Sequence, residues 1–202
     1  MNDSVGSRYW TRWASSALTC LGLGLVGIGC GGAAGPVAVA PTRAAGVTQE
    51  EIDANPAYVL PSGLLGFVAL DVKAMLQSPF GPRLMQVLGR VAPVSADAGY
   101  VPDRDLEALY IGAYSMQGAD WVTVAVGSFD AAAVERSCAA GSPTPMGAPL
   151  QKVQYAGRVL YSAKDVAISV LTPKVALVGN GTAVRRALDR LEQGPLERTV
   201  PA

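Results

Sequence analysis

Glu107-Ala-Leu-Tyr-Ile-Gly-Ala-Tyr-Ser-Met-Gln-Gly-Ala-Asp-Trp-Val-Thr-Val-Ala-Val-Gly127 decides the fold. Apolar and small residues alternate on either side of Gln117-Gly118, a turn dipeptide, so the stretch reads as a β-hairpin with strands at 107–115 and 120–127. A two-residue turn at Gln117-Gly118 sets Tyr114 opposite Trp121, Gly112 opposite Thr123 and Tyr110 opposite Ala125. Side chains alternate between the faces of a strand. Leu109, Ile111 and Ala113 then share the helix-covered face with Val122, Val124 and Val126. Tyr110, Tyr114 and Trp121 gather on the opposite face around Gly112, a candidate surface for a ligand or a partner protein.

Three strand-to-helix units surround the hairpin. Gly66–Leu70 runs into Asp71 and a short helix at 72–76. The hairpin's second strand runs into Asp130 and a helix at 131–140, which Gly141 is placed to end. Val175–Val178 runs through Gly179-Asn180-Gly181 into a helix at 182–193. Aspartate just ahead of a helical run is an N-cap, its carboxylate accepting from free backbone N–H groups of the first turn. In the last helix Val184, Ala187, Leu188 and Leu191 make an i, i+3, i+4, i+7 stripe, and Gly194-Pro195 stops it. Pro82–Val91 carries the same stripe in Leu84, Val87, Leu88 and Val91. Residues 92–104 read as a loop and Ser142–Pro149 as a proline-rich one. A hairpin turning at Ala156-Gly157 and a strand at 166–171 complete the order βα–ββα–ββββα. The expected fold is α+β: a mainly antiparallel sheet with helices packed on one face. A ferredoxin-like, split βαβ start carries extra hairpin strands.

The first thirty residues concern where the protein resides. Arg8 and Arg12 precede an apolar run from Ala14 to Ile28, the order of a secretory signal peptide. Glycines at 22, 24, 27 and 29 interrupt the run, which is short of the ~20 apolar residues of a spanning helix. Gly27-Ile28-Gly29-Cys30 resembles the lipobox of bacterial lipoproteins, with Gly27 where Leu, Val or Ile is usual. The resemblance covers residues 1–30 alone. It implies cleavage before Cys30 and a diacylglycerol on its sulfur. It also implies a protein of the cell envelope, lipid-anchored to a bacterial membrane, the outer membrane favoured. Residues 31–47, low in complexity and rich in Ala, Gly and Pro, read as a tether, and Thr48-Gln-Glu-Glu51 after them has the capping-box spacing that starts one helical turn. The expected organisation is a signal peptide at 1–29, the lipidated cysteine and tether at 30–57, and one α+β domain at 58–202.

Composition narrows the chemistry. Charged residues make up 16% of the chain, with equal numbers of basic and acidic ones. Losing Arg8, Arg12 and Asp3 with the signal leaves the balance within one charge of neutral, so nothing points to nucleic acid. Histidine is absent, which removes Ser-His and Cys-His nucleophile systems. Of three cysteines, Cys20 lies in the signal, Cys30 is the lipid candidate, and Cys138 reads as a shielded thiol on a helix. No metal site or cofactor is expected. Asp103, Asp105 and Glu107 cluster before a strand but lack the glycine and closing glutamate of a calcium loop. Gly179-Asn180-Gly181 at a strand-to-helix turn lacks the third glycine of a dinucleotide site and reads as a helix cap. The expected function is therefore a non-catalytic binding or interaction module with an envelope protein as partner. The alternatives are an exported enzyme using carboxylate or lysine chemistry and a periplasmic small-molecule binder.

Overall fold

The computed structural model describes residues 46–91, 94, 96–117, 120–194 and 196. Cys30 and the signal-like segment lie outside them, as do Gly118 and Pro195. Seven strands form one sheet among the described residues: β1 (Gly66–Asp71), β2 (Leu106–Ala113), β3 (Trp121–Gly127), β4 (Gln151–Tyr155), β5 (Arg158–Ala163), β6 (Val166–Val170) and β7 (Val175–Asn180). Their order is β1-β2-β3-β7-β6-β5-β4, and every neighbouring pair is antiparallel. The helices are α1 (Gln49–Ala54), α2 (Val72–Leu76), α3 (Gly81–Val91), α4 (Pro102–Asp105), α5 (Ala131–Ala139) and α6 (Gly181–Gln193). The fold is α+β.

Local chemistry places α2, α5 and α6 where the sequence puts them, while the one-turn α4 falls in the stretch read as a loop. Asp71 Oδ1 accepts from the Ala74 N–H at 2.9 Å, and Asp130 Oδ1 accepts from Ala132 and Ala133 at 2.8 and 3.1 Å. Thr48 and Glu51 form a reciprocal capping box at the start of α1. Gly141, at φ 67°, closes α5 with its N–H on the Cys138 carbonyl at 3.0 Å. Ala156 and Gly157 both take positive φ, 50° and 67°, the two-residue turn whose twist matches the strands β4 and β5 that it joins.

Three finer expectations are corrected. The first is the ferredoxin-like start. A split βαβ leaves its two strands parallel with a third between them. Here β1 pairs directly and antiparallel with β2, Phe67 opposite Gly112 and Leu70 opposite Leu109. The segment carrying α2, α3 and α4 returns the chain beside β1, which becomes the sheet edge.

The second is the hairpin register. Ala113 lies opposite Trp121, Gly112 opposite Val122 and Tyr110 opposite Val124. The Tyr114 N–H donates to the Asp120 carbonyl at 2.8 Å, so the connection is longer than two residues. A one-residue slip turns every side chain of one strand to the other face. Leu109 and Ile111 therefore share a face with Trp121, Thr123 and Ala125, while Tyr110 and Gly112 share the other with Val122 and Val124.

The third, helices packed on one face, falls with the slip: apolar side chains point to both faces of the sheet, so helices cover both. Under α1 and α6, Val122, Val124, Leu160 and Leu177 join Ile52, Val184, Leu188 and Leu191 in a core, every one of them 2% exposed or less. On the opposite face Leu109 and Ala125 lie under α2 and α3, and Tyr161 and Ile168 under α5.

The packing also extends upstream. Val47 and Ile52 are buried in the α6-side core, and the Val47 N–H donates to the Leu191 carbonyl at 3.1 Å. Asp53 Oδ1 accepts from the Thr172 hydroxyl at 2.6 Å. Packing among the described residues thus reaches upstream of residue 58.

Candidate functional site

The two faces differ in how completely they are packed. The stripe of α6 (Ala183, Val184, Ala187, Leu188 and Leu191) is buried to 2% exposure or less. On α3 the matching stripe stops short, with Leu84 and Leu88 half-buried and Val87 57% exposed. Between α3 and the sheet the chain's own side chains leave a cavity of about 620 Å³.

The floor is the slipped face of the sheet: Leu109 and Ile111 on β2, Trp121, Thr123 and Ala125 on β3, Val178 on β7, and Val166, Ile168 and Val170 on β6. Leu84, Val87 and Leu88 of α3 form part of the roof. Tyr100, Phe129, Val134 of α5 and Met146 continue it. Tyr100 and Phe129 stack with ring centroids 5.8 Å apart.

The polar groups at the rim are committed to one another. Arg104 Nε donates to Asp105 Oδ1 at 2.6 Å, and its Nη2 donates to the Gly99 carbonyl at 2.9 Å. Asp105 Oδ2 also accepts from the Val101 N–H at 2.8 Å. The Arg104 hydrogen bond, with that N–H, holds the Asp105 carboxyl below the usual aspartate range. Asp130 is spent on the cap of α5, whose N–H groups lower it in the same way. Burial pushes the Tyr100 phenol up to about 12, with the Asp105 charge adding to the effect.

The aromatic trio expected on one surface is divided. Trp121 lines the cavity floor, with its backbone N–H on Asn180 Oδ1 at 3.2 Å. Tyr110 sits on the other face, stacked on Phe67 at 6.5 Å. Tyr114 packs against the α6-side core, donates to the Pro61 carbonyl at 3.0 Å and carries the Arg186 guanidinium 5.1 Å above its ring. Its phenol is raised by burial. Tyr110 and Tyr114 are thus partly buried against their own chain. Cys30 lies outside the described residues.

The remaining candidates resolve into structural roles. Asp105 pairs with Arg104, while Glu107 pairs with Lys73 at 2.9 Å. Among the described residues no three His, Cys, Asp or Glu side chains are grouped to hold a metal ion. Gly179 lies within β7, where a Cβ would come 2.4 Å from the Trp121 carbonyl oxygen. Asn180 caps α6. The Cys138 Sγ donates to the Leu150 carbonyl at 3.3 Å, and burial raises its thiol. Lys152 and the Tyr161 hydroxyl both donate to Glu135, tying α5 to β4 and β5.

No protein-family model and no curated protein matches the chain. The likeness that exists is one of fold. Crystal form I of TP0453 is similar at a TM-score of 0.50 and 16% identity, over 72% of this chain and 54% of that one. Crystal form III of TP0453 gives a TM-score of 0.47 at the same identity and coverage. The chain spans about half the length of the solved structures it matches.

Sequence reasoning missed the cavity residues as a group. Leu84, Val87 and Leu88 read as an ordinary helical stripe. Ile168 and Val178 read as ordinary strand positions. The α3 stripe has the same spacing as the α6 stripe, so the sequence carries no local signal of the space beneath α3.

Proposed function

We propose that this protein is an envelope lipoprotein, anchored through Cys30, whose exported domain is a non-catalytic binding module for an apolar small molecule. The cavity beside Trp121 carries the reading. The pocket opens to solvent beside Val87, which is 57% exposed, and is walled by apolar side chains of α3, the sheet and α5. Space of this size with apolar walls is the usual form of a ligand site, which falls at ~300–1,000 Å³.

The reading moves the binding surface from the Tyr110, Tyr114 and Trp121 trio to the cavity and keeps only Trp121 from it. Supporting a binder over an enzyme, Arg104, Asp105 and Asp130 are tied into an ion pair and a helix cap at the rim. An enzyme would instead converge such groups on a reacting atom.

Trp121 supplies the test, because the other tryptophans, Trp10 and Trp13, precede Cys30. Aminoanthracene, a neutral apolar probe, is titrated into the full chain. Saturable binding with energy transfer from Trp121 is expected, and Trp121→Phe should abolish the transfer while leaving binding in place. Absence of saturable binding refutes the reading. The anchor is tested separately by labelled palmitate, which should appear on the wild type and be lost in Cys30→Ser.

A further inference from the structure

We infer that the Thr123 hydroxyl is the recognition group of the cavity, and that the molecule taken there is a neutral compound presenting a carbonyl oxygen to it. The inference rests on the binding reading above and adds the class of ligand. A single buried side chain carries it.

Thr123 lies in the middle of the floor. It stands opposite Ile111 on β2 and Val178 on β7, whose own partner on β6 is Ile168. Trp121 and Ala125 come before and after it on the same face of β3. No aliphatic neighbour in this row carries a hydroxyl. Valine is branched like threonine and suits a strand equally well, so packing of the sheet does not call for the oxygen. Thr123 is 8% exposed, and its hydroxyl has no hydrogen-bond partner among the described residues. Buried hydroxyls elsewhere are engaged. Thr144 donates to the Ala148 carbonyl, Ser169 to the Val159 carbonyl and Thr172 to Asp53. A hydroxyl withdrawn from water without a partner is unfavourable, and Thr123 turns its side chain to the cavity.

The groups left free define the ligand. Trp121 on the floor carries an indole N–H and Tyr100 on the roof a phenol, and neither group has a hydrogen-bond partner among the described residues. Hydroxyls donate or accept, whereas an indole N–H only donates, so the three together suit an acceptor. An anionic acceptor finds no free cation, because Arg104 is held by Asp105. It would also meet Asp105 and Asp130, whose carboxyls are held below the usual aspartate range at the rim. Sugars and nucleotides need many converging polar groups, which these apolar walls do not offer. A neutral acceptor on an apolar skeleton remains, a ketone or a quinone.

The test compares fluorenone with fluorene, which share a ring skeleton and differ by the carbonyl. Each displaces aminoanthracene from the full chain, as wild type and as Thr123→Val. The quantity read is the ratio of the two affinities, in which the apolar contribution common to both cancels. Thr123→Val should lower fluorenone relative to fluorene about three- to tenfold, the worth of one neutral hydrogen bond. Fluorene itself should bind as before or more tightly. Thr123→Ser keeps the hydroxyl and should hold the ratio near its wild-type value. If Thr123→Val does not fold, the carbonyl stretch of fluorenone bound to the wild type decides: a band below its position in dry hydrocarbon supports the inference, and a band at that position overturns it. Fluorenone-2-carboxylate should bind at least tenfold more weakly than fluorenone, and equal or tighter binding overturns the neutral class. An unchanged ratio in Thr123→Val assigns the hydroxyl to water; it overturns the inference and leaves an apolar binder. No binding of probe, fluorene or fluorenone overturns both readings.

Discussion

Asn180 joins the last helix to the central strands through one side-chain oxygen. Its Oδ1 accepts from the Ala183 N–H at 3.3 Å, capping α6, and from the Trp121 N–H at 3.2 Å, across to β3. Asn180→Ala removes both bonds. Loss of the cap costs ~1 kcal/mol. The Trp121 N–H, only partly buried, loses its partner at ~1–2 kcal/mol. The expected destabilisation is therefore about 2–3 kcal/mol, a sizeable share of the ~5–15 kcal/mol of a typical domain. Urea unfolding at pH 7 should show it as a midpoint lower by roughly 1 M or more, given slopes of ~1–3 kcal/mol per M for domains of this size. Two further substitutions separate the terms. Asn180→Asp keeps an acceptor and adds a charge that suits a helix N-terminus, so it should stay within about 0.5 kcal/mol of wild type or gain slightly. Asn180→Ser keeps a capping oxygen on a shorter stem that does not reach β3, so it should lose about half as much as alanine. An Asn180→Ala midpoint unchanged within error refutes the double role.

Three other outcomes are expected. Gly179→Ala drives a Cβ to 2.4 Å from the Trp121 carbonyl oxygen and 2.8 Å from the Val122 Cα; backbone must shift, and urea unfolding should register a loss of at least ~1–3 kcal/mol. Tyr100 predicts an alkaline limit to stability: burial raises its folded value to about 12, above the ~10 of an unfolded tyrosine. Its contribution is therefore complete below pH ~10 and lost as pH rises through about 12; Tyr100→Phe should flatten that part of the stability profile, and an unchanged slope would exonerate the group. Cys138, packed in the α5 cluster with its thiol raised by burial, should react slowly with a thiol reagent in the folded protein and quickly in urea, and fast reaction in both would place it at the surface.

The sequence by itself determined the elements. Asp71, Asp130 and the Thr48–Glu51 pair act on backbone groups no more than four residues away, the Ala156-Gly157 turn is fixed by its own dihedrals, and the α6 stripe needs only the helical period. Such interactions are complete within a short window and can be read there. Tertiary structure decided the rest. Whether Trp121 joins Tyr110 or leaves it depends on one residue in the β2–β3 connection, because alternation converts a single-residue slip into a change of face. The pairing of β3 with β7 brings Thr123 beside Val178, though fifty-odd residues separate them along the chain. The cavity is further still from local signals. It exists because α3 does not descend onto the sheet as α6 does, and the spacing between packed layers is set by the whole set of side chains that meet there.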